Sequence, residues 1–338
     1  MRAWGCSDMT VYANRWIRES MLVPLLQAHW GLRQVQIEPE RAGHVNSSFR
    51  VSCSEGLFVV RASWPAKSRA QLRREQTVLR ALGGAPSCPE VPRLRSTVHG
   101  HPGVRTGQGS WLHLFEWIDG RAELPADAPG GTRAAMRALA GLHAALAALP
   151  VRRASPVRWL LERHRRVVRR SPPQMPGEIN GAYERMLERI GERLADVASA
   201  VPGPMSWLHG DFHPGNVLFD GVEVRGIIDF DDVGAGAQLF ETAFALFTFS
   251  RCTTAEEQFE FDAWRWEQGL RAYAEAAPAT AVGWLRARCE AMVLLFCVDQ
   301  VLMHLEAAQR GLWILAPGVG FLGCWNKLQC APQSAWMV

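Results

Sequence analysis

Short runs in which apolar and polar residues alternate dominate the first 118 positions of the chain, and a period of two is that of half-buried β-strands. The pattern predicts strands at Val35–Ile37, Ser48–Cys53, Leu57–Ala62, Arg93–Val98 and Ser110–Trp117. Helical spacing replaces the alternation at about residues 15–30 and at Ser68–Leu82, and a glycine follows each of these segments. We therefore expect a short N-terminal helix and then a small sheet that carries one helix.

The pattern changes after Asp119-Gly120. Residues 131–149 form an Ala/Leu-rich helical segment that ends at Pro150, and only the block 207–230 in this half is β-like. Helical spacing recurs at about 156–170, 180–200, 236–250, 255–275 and 281–310. The predicted fold class is α+β with two lobes: a small β-rich lobe over residues 1–118 and a larger helical lobe over residues 119–338, joined by a hinge at Glu116–Gly120.

Composition narrows the range of partners. The chain of 338 residues is 48% hydrophobic and 21% charged, as in ordinary globular proteins, and its net charge of +4 is too small to indicate nucleic-acid binding. Its eight cysteines include no C-x-x-C pair, which disfavours a structural metal site. Charged residues interrupt the N-terminal segment, and the apolar run 291–298 is too short for a membrane span. We expect a cytoplasmic protein without a nucleic-acid or membrane partner, and its oligomeric state stays open.

The polar residues with the most chemical content lie in the β-like block. The segment L-H-G-D-F-H-P-G-N-V-L-F places Asp211 five positions before Asn216, and I-I-D-F-D follows with Asp229. One carboxylate can orient and deprotonate a hydroxyl, while an amide and a second carboxylate are hard oxygen ligands for Mg²⁺. The set therefore indicates phosphoryl transfer from a metal-bound nucleotide. An acidic β-turn is the alternative interpretation, because Asp, Asn and Pro-Gly are common in turns.

The motifs H-G-D-x-x-P-x-N-V-L and I-D-F-D-D resemble those of the aminoglycoside phosphotransferase and choline kinase family, and weaker matches extend over about residues 40–310. The resemblance implies a protein-kinase-like fold that uses ATP or GTP and Mg²⁺. It further implies that Asp211 is the catalytic residue and that Asn216 and Asp229 are metal ligands. His209 would support the loop that carries them.

In the small lobe the same resemblance points to phosphate-binding residues. Gly43–Val51 lies where the family has its phosphate-covering loop, and the Ser47 and Ser48 hydroxyls could meet phosphate oxygens there. This segment has one glycine, so an ordinary hairpin turn is the alternative. Arg61 occupies the position of the family's nucleotide-contacting Lys, and the two residue types are not interchangeable. Its predicted partner is Glu75, which could instead pair with neighbours on its own helix.

Further candidates lie at the hinge and beyond the motifs. The segment L-F-E-W-I-D-G resembles the family's interlobe hinge, which makes the Glu116 carbonyl and the Ile118 amide candidate nucleotide contacts. Glu241 is predicted to anchor the loop around the catalytic residue, with an acceptor contact as the alternative. Asp231 and Asp232 are possible acceptor-binding residues, and a place behind the metal or in a turn is equally open.

Two absences favour a small-molecule acceptor over a protein. Gly210 stands where protein kinases have the Arg of H-R-D, and no A-P-E segment follows Asp229. A basic stretch bears on the charge of the acceptor: residues 152–170 include eight arginines and one glutamate. A solvated arginine face is the default interpretation of that stretch, and an anionic acceptor or partner is the alternative.

The sequence thus predicts a kinase that moves the γ-phosphoryl group to a hydroxyl of a small molecule, with an antibiotic or other natural product as the favoured acceptor. A homoserine, choline or sugar kinase is an alternative, as is a bacterial Ser/Thr protein kinase of the same fold. Arg61 and the glycine-poor loop motivate a third alternative, a nucleotide-binding protein without catalysis. The complete set of Asp211, Asn216 and Asp229 argues against that last possibility.

Overall fold

The computed structural model describes residues 17–38, 41–42, 46–65, 67–85, 88–151, 158–171, 181–185, 187–192, 205–252, 262–277 and, within 298–310, all but 300, 304 and 307. An antiparallel sheet of seven strands occupies the first part of these residues. Its strands are β1 Gln36–Ile37, β2 Arg41–Ala42, β3 Ser47–Cys53, β4 Gly56–Ala62, β5 Leu94–Arg95, β6 Val104–Arg105 and β7 Trp111–Glu116. The strand order is β1-β3-β4-β7-β5, with β2 on β3 and β6 on β7.

Two helices pack against this sheet and serve different cores. Helix α1 (Glu19–Trp30) buries Leu22 and Leu26 against sheet residues that include Val60. Helix α2 (Arg69–Leu82) starts at a capping box formed by Ser68, and its apolar stripe joins the larger core of the second lobe. Because side chains alternate along β4, Val60 enters the sheet core and Arg61 points to the opposite side, where α2 lies.

The second lobe is mainly helical. Its helices are α3 Ala128–Leu146, α4 Arg158–Val168, α5 Gln238–Ser250 and α6 Ala263–Ala276, and helical residues also occur at 181–185, 187–192 and within 298–309. Its short strands are β8 Met205–Leu208, β9 Val217–Asp220, β10 Glu223–Ile227 and β11 Gly234–Ala237. Helices α3, α5 and α6 share one apolar core with these strands. The predicted α+β class with a sheet lobe and a helical lobe is confirmed.

The structure differs from the predicted elements in a few places. Strands β2 and β6 have two residues each, too few to show a period, and the expected strand Arg93–Val98 shortens to β5. Strand β11 was not predicted, because its sequence Gly-Ala-Gly-Ala lacks the β-branched residues that mark strands. Helix α3 begins three residues early, where the Asp127 side chain accepts a hydrogen bond from the Gly130 amide.

Parts of the helices predicted at 180–200, 255–275 and 281–310 lie outside the described residues. The division of the chain at residue 118 stays a prediction, although the sheet ends at Glu116 and α3 starts at Ala128. A search of the described helices finds none with the length and apolar character that crossing a membrane requires.

Candidate active site

Two loops carry the predicted catalytic and metal-binding residues, and strand pairing brings them together. The catalytic loop, residues 209–213, follows β8, and the second loop, residues 228–233, connects β10 to β11. Strand β8 pairs with β11, and β9 pairs with β10, both antiparallel. The end of β8 therefore lies beside the start of β11, and the start of β9 beside the end of β10. Both loops emerge at this edge, so residues 18 positions apart, Asp211 and Asp229, share one site.

Glu241 holds the catalytic loop by its backbone. Its side chain, 2% exposed, accepts hydrogen bonds from the amides of His209 at 3.2 Å and Gly210 at 2.5 Å. A carboxylate only accepts, so His143 Nε2 donates to it at 2.8 Å, and the Tyr273 hydroxyl donates to His143 Nδ1 at 2.8 Å. Burial would raise the pKa of Glu241, but these hydrogen bonds outweigh it and leave the pKa lowered. The buried Glu241 carboxylate thus binds the backbone of the catalytic loop, and its burial argues against the alternative acceptor contact.

Gly210 has a geometric reason to be glycine. Its φ of 90° lies in the left-handed region, and a Cβ there would be 2.3 Å from the Asp232 carbonyl oxygen. An arginine at this position, as in the H-R-D motif of protein kinases, would collide with the second loop. The sequence difference from protein kinases is thus built into the packing of the two loops.

His209 links the two loops as a neutral ring. Its Nδ1 accepts from the Asp211 amide at 3.2 Å, so Nε2 carries the proton and donates to the Ile228 carbonyl at 2.9 Å. Burial is the main reason that the pKa of His209 is lowered, which favours this uncharged form. The Ile228 amide donates in turn to the Asn216 carbonyl at 2.9 Å. The predicted loop support therefore rests on contacts that fix the residue immediately before Asp229.

Asp211 is solvent-accessible yet firmly oriented. Its side chain is 39% exposed, and its Oδ2 accepts from Asn216 Nδ2 at 3.1 Å and lies 3.4 Å from His213 Nε2. His213 Nδ1 accepts from the Gly215 amide, so Nε2–H faces the carboxylate. Burial would raise the pKa of Asp211, but His213, His209 and the Asn216 amide outweigh it and leave the pKa lowered. Among the described residues, Asp211 Oδ1 has no hydrogen-bond partner, so this oxygen is accessible to a bound molecule.

Asn216 and Asp229 present oxygen atoms to the same region. The Asn216 amide nitrogen donates to the Asp211 carbonyl and carboxylate, so its Oδ1 is the atom left for a cation. Asp229 has a φ of 62°, a conformation that costs a non-glycine residue about 1–2 kcal/mol and concentrates at functional sites. Burial is the main cause that raises the pKa of Asp229 to about 6, against the lowering effect of Arg61.

This donor set fits Mg²⁺ that arrives with a nucleotide. Among the described residues, no three His, Cys, Asp or Glu side chains are grouped to hold a metal by themselves. Mg²⁺ in nucleotide sites commonly takes one or two protein ligands and completes its shell with phosphates and water. The Asp229 side chain, 40% exposed, and the free oxygen of Asn216 meet that requirement.

A cation cluster, consisting of Arg61, Lys67, Glu75 and Asp231, lies on the small-lobe side. The predicted contact between Arg61 and Glu75 is present and buried. Sequence reasoning missed Lys67, whose Nζ lies 2.6 Å from Glu75 Oε2 and 2.6 Å from Asp231 Oδ1. Asn46 Nδ2 donates to Asp231 Oδ2 at 2.7 Å. No motif marks Lys67, and only its position five residues after β4 hinted at a place near Arg61.

The two candidate acceptor-binding residues, Asp231 and Asp232, have different surroundings in the structure. Asp231 turns toward the cations, which oppose the effect of burial and hold its pKa well below the usual range. The Asp232 residue is exposed to solvent. The protein atoms around its carboxyl group still remove part of its hydration, and this effect, with the negative charges of Asp211 and Asp231, raises its pKa to about 7. An acceptor contact stays a prediction for both residues, and the greater solvent exposure of Asp232 favours that residue.

The structure gives the positions of the other residues predicted to contact the nucleotide. Ser47 is buried and Ser48 half-buried, and both belong to β3, opposite Ala62 and Arg61 of β4. Residues 43–45 of the expected phosphate-covering loop lie outside the described residues. Glu116 is the last residue of β7, and Ile118 lies two positions after it. The Glu116 amide donates to the Arg93 carbonyl at 3.0 Å. Contacts of these four residues with a nucleotide stay predictions.

The arginine-rich helix α4 is partly neutralised. Arg163 pairs with Asp299, and Arg166 donates to both oxygens of Glu306 at 2.7 and 3.2 Å. Arg170 lies 3.7 Å from Glu306. Arg166 and Arg170 are nevertheless 47% and 40% exposed, so the interpretation as a solvated arginine face stays a prediction. Arg163 and Arg166 are three residues apart on α4, Arg170 follows the end of this helix, and all three meet acidic residues far along the chain.

Solved small-molecule kinases share this architecture. The amicoumacin kinase hAmiN, solved with AMP-PNP, Ca²⁺ and Ami, has a TM-score of 0.68 and 14% identity, over 91% of this chain and 94% of that one. A microcompartment-associated aminopropanol kinase has a TM-score of 0.67 and 15% identity, over 92% of this chain and 98% of that one. Identities this low establish the fold alone, and the fold is the one predicted.

Sequence comparison adds a relative and a family. Homoserine kinase from Pseudomonas aeruginosa (strain UCBPP-PA14) is 31% identical over 151 residues, which are 45% of this chain and 44% of that protein. The match thus spans less than half of this curated relative. The model of the phosphotransferase enzyme family, APH, matches residues 36–281, which contain Arg61, Asp211 and Asp229. The predicted class of enzyme is confirmed, since the chain belongs to the phosphotransferase enzyme family.

Proposed function

We propose that this protein transfers the γ-phosphoryl group of ATP or GTP, with Mg²⁺, to a hydroxyl group of a small molecule. The observation that carries the proposal is the meeting of Asp211, Asn216 and Asp229 on two adjacent loops that face the cation cluster. An ionised carboxylate, two metal-ligating oxygens and buried cations are the parts that phosphoryl transfer requires. The AMP-PNP complex of the amicoumacin kinase supports a nucleoside triphosphate as donor.

In the proposed reaction Asp211 orients the acceptor hydroxyl and receives its proton. The hydroxyl oxygen forms a bond to the γ-phosphorus as the bond from that phosphorus to the β–γ bridging oxygen breaks. The lowered pKa of Asp211 keeps it ionised at neutral pH, so it acts more by orientation than by strong basicity. Glu241 and His209 hold the loop backbone, which keeps the carboxylate in place without occupying its Oδ1.

Asn216 and Asp229 are the residues that would hold Mg²⁺. When bound, the ion neutralises phosphate charge and aligns the phosphoryl group with the acceptor. His209 fixes the backbone carbonyl next to Asp229, and the Asn216 amide is fixed by Asp211. Both ligands are thus positioned by the loops before any ion arrives.

A small acceptor fits better than a protein. In the continuous stretch 205–252, β11 begins three residues after Asp231, which leaves no room for a peptide-docking activation segment. Asp232 is an exposed carboxyl group beside the catalytic loop, and an ammonium group on the acceptor would favour its ionised form. The amicoumacin kinase supports an antibiotic or natural-product acceptor, and the homoserine and aminopropanol kinases support a small amino alcohol.

The experiment follows a γ-labelled phosphoryl group from ATP. The protein is incubated with Mg²⁺ and a panel of antibiotics, amino alcohols and sugars, and Asp211→Asn serves as the inactive control. We expect the label in one class of small molecule and none with the variant. Label in the protein itself or in a generic protein acceptor would favour a protein kinase. Binding of AMP-PNP without transfer to any acceptor would favour a non-catalytic nucleotide-binding protein.

A further inference from the structure

Lys67 is the buried ammonium group of the cation cluster, and the proposed reaction assigns it no ligand of its own. Its side chain is 1% exposed, and Nζ lies 2.6 Å from both Glu75 Oε2 and Asp231 Oδ1. Burial of an ammonium group removes its hydration, and two carboxylates offset that cost, so both contacts matter to the folded protein. It belongs to none of the motifs of the sequence.

Arg61 and Lys67 share one oxygen atom. Arg61 Nη2 lies 2.9 Å from Asp231 Oδ1, the same oxygen that Lys67 contacts. On the other side Glu75 divides its oxygens, Oε1 to the arginine and Oε2 to the lysine. Glu75 is 3% exposed and Asp231 is 14% exposed, so the Glu75 side is closed and the Asp231 side is the more open. Two buried cations therefore converge on a single anionic oxygen at the open side.

The surroundings of that oxygen are those of a nucleotide site. Asp231 comes from the second loop, two residues after the proposed metal ligand Asp229. Its other oxygen accepts a hydrogen bond from Asn46, which directly precedes β3 and lies within the expected phosphate-covering segment. The Asn46 Oδ1 atom is buried without a hydrogen-bond partner among the described residues. A displaceable carboxylate thus lies where elements from both lobes meet.

We propose that Lys67 is a second phosphate-binding cation beside Arg61, and that a nucleotide phosphate oxygen takes the position held here by Asp231 Oδ1. This inference rests on the proposed function. A phosphate oxygen carries the same negative charge and accepts the same two donors, so the exchange leaves neither cation uncompensated. Asp231 then acts as an internal counter-ion that the nucleotide displaces.

The test compares the binding of Mg²⁺–AMP-PNP with the binding of adenosine, which lacks phosphates, by calorimetry. We expect Lys67→Met to weaken AMP-PNP binding by about 10- to 100-fold, the value of one or two charge-assisted hydrogen bonds. Adenosine binding should not change. Arg69→Met is the matched control, because it removes an exposed cation two residues away and should leave both affinities unchanged.

A second variant gives the opposite sign. Asp231→Asn removes the competing anion, so AMP-PNP should bind about 3- to 10-fold more tightly and adenosine should bind as before. This arm remains decisive if Lys67→Met folds poorly, since weaker or unchanged AMP-PNP binding in Asp231→Asn would overturn the displacement.

The outcomes separate the two proposals. Equal loss of AMP-PNP and adenosine in Lys67→Met would mean a packing role and would overturn the inference. Wild-type affinity for AMP-PNP in Lys67→Met would overturn the inference while the proposed function stands. A wild-type protein that binds neither AMP-PNP nor the corresponding GTP analogue would overturn both.

Discussion

The catalytic loop and the cation cluster face each other, and they are built by different means. The loop is held by its backbone: Glu241 accepts two amides, and His209 connects it to the residue before Asp229. The cation cluster is held mainly by ion pairs: Arg61 and Lys67 both contact Glu75 and Asp231, and Arg61 also lies 3.2 Å from Asp229. Backbone anchoring leaves the Asp211 side chain accessible for chemistry. Ion pairing leaves the cations ready to exchange one anion for another.

Asp211→Asn tests the catalytic side and has the largest expected effect. Turnover should fall about 10²- to 10⁴-fold, because the amide cannot accept the hydroxyl proton. The measurement is initial rate with the acceptor that the panel identifies. Asp220→Asn is the control, since it removes an exposed carboxylate of the adjacent β9, paired with Arg225, and should leave the rate unchanged. Comparable rates in wild type and Asp211→Asn would remove this residue from the reaction.

Glu241→Gln and Asp231→Asn together test whether the catalytic loop or the cation cluster depends more on a buried charge for its stability. The glutamine keeps the size but loses charge on a group that takes three donors, so we expect a loss of about 2–4 kcal/mol in the free energy of unfolding. Urea unfolding measures it. Asp231→Asn, on the charge-held side, should cost less because that carboxylate is the more exposed. A larger loss in Asp231→Asn would reverse the comparison.

His113→Phe sharpens the picture of the small lobe in acid. His113 belongs to β7 and lies opposite Arg61 of β4. Neither nitrogen of its ring has a hydrogen-bond partner among the described residues. Burial lowers the pKa of His113 to about 3, and the positive charges of Arg61 and Lys67 add to this effect. The contribution of the neutral His113 to the free energy of unfolding is complete above pH 6.5 and is lost as the pH falls toward 3. In that range the imidazole of the unfolded chain binds a proton, whereas the buried imidazole of the folded protein stays neutral.

At pH 5 that loss amounts to about 2 kcal/mol in the free energy of unfolding. Urea unfolding at pH 7.5 and pH 5 should therefore show a smaller pH effect for His113→Phe than for wild type. The difference between the two proteins isolates this group from the carboxylates that also titrate. Equal pH effects would mean that His113 is protonated in the folded state.

Arg166→Ala has the smallest expected effect. Its guanidinium pairs with Glu306 through two hydrogen bonds but is 47% exposed, so we expect a loss of no more than about 1 kcal/mol in the free energy of unfolding. Adding 0.5 M NaCl should reduce the difference between variant and wild type. A loss that is larger and insensitive to salt would place this face of α4 among the structural cores.

The residues of the catalytic loop were easier to predict from the sequence than those of the cation cluster. Asp211, Asn216 and Asp229 could be named from sequence because they lie within 19 residues, in local motifs with fixed chemistry. The Arg61–Glu75 contact was also predicted, and it joins neighbouring elements. The place of Lys67 could not be predicted, since one of its two partners lies 164 residues away and no local pattern marks it. Strand β11 escaped prediction because glycine and alanine carry no period.

The most direct measurement is the affinity for Mg²⁺–AMP-PNP of Asp211→Asn beside that of Lys67→Met. If the catalytic loop performs the chemistry and the cation cluster binds phosphate, Asp211→Asn keeps the wild-type dissociation constant within about twofold. Lys67→Met then weakens binding about 10-fold or more. The reverse pattern, with weakened binding in Asp211→Asn and wild-type binding in Lys67→Met, would contradict this division of labour.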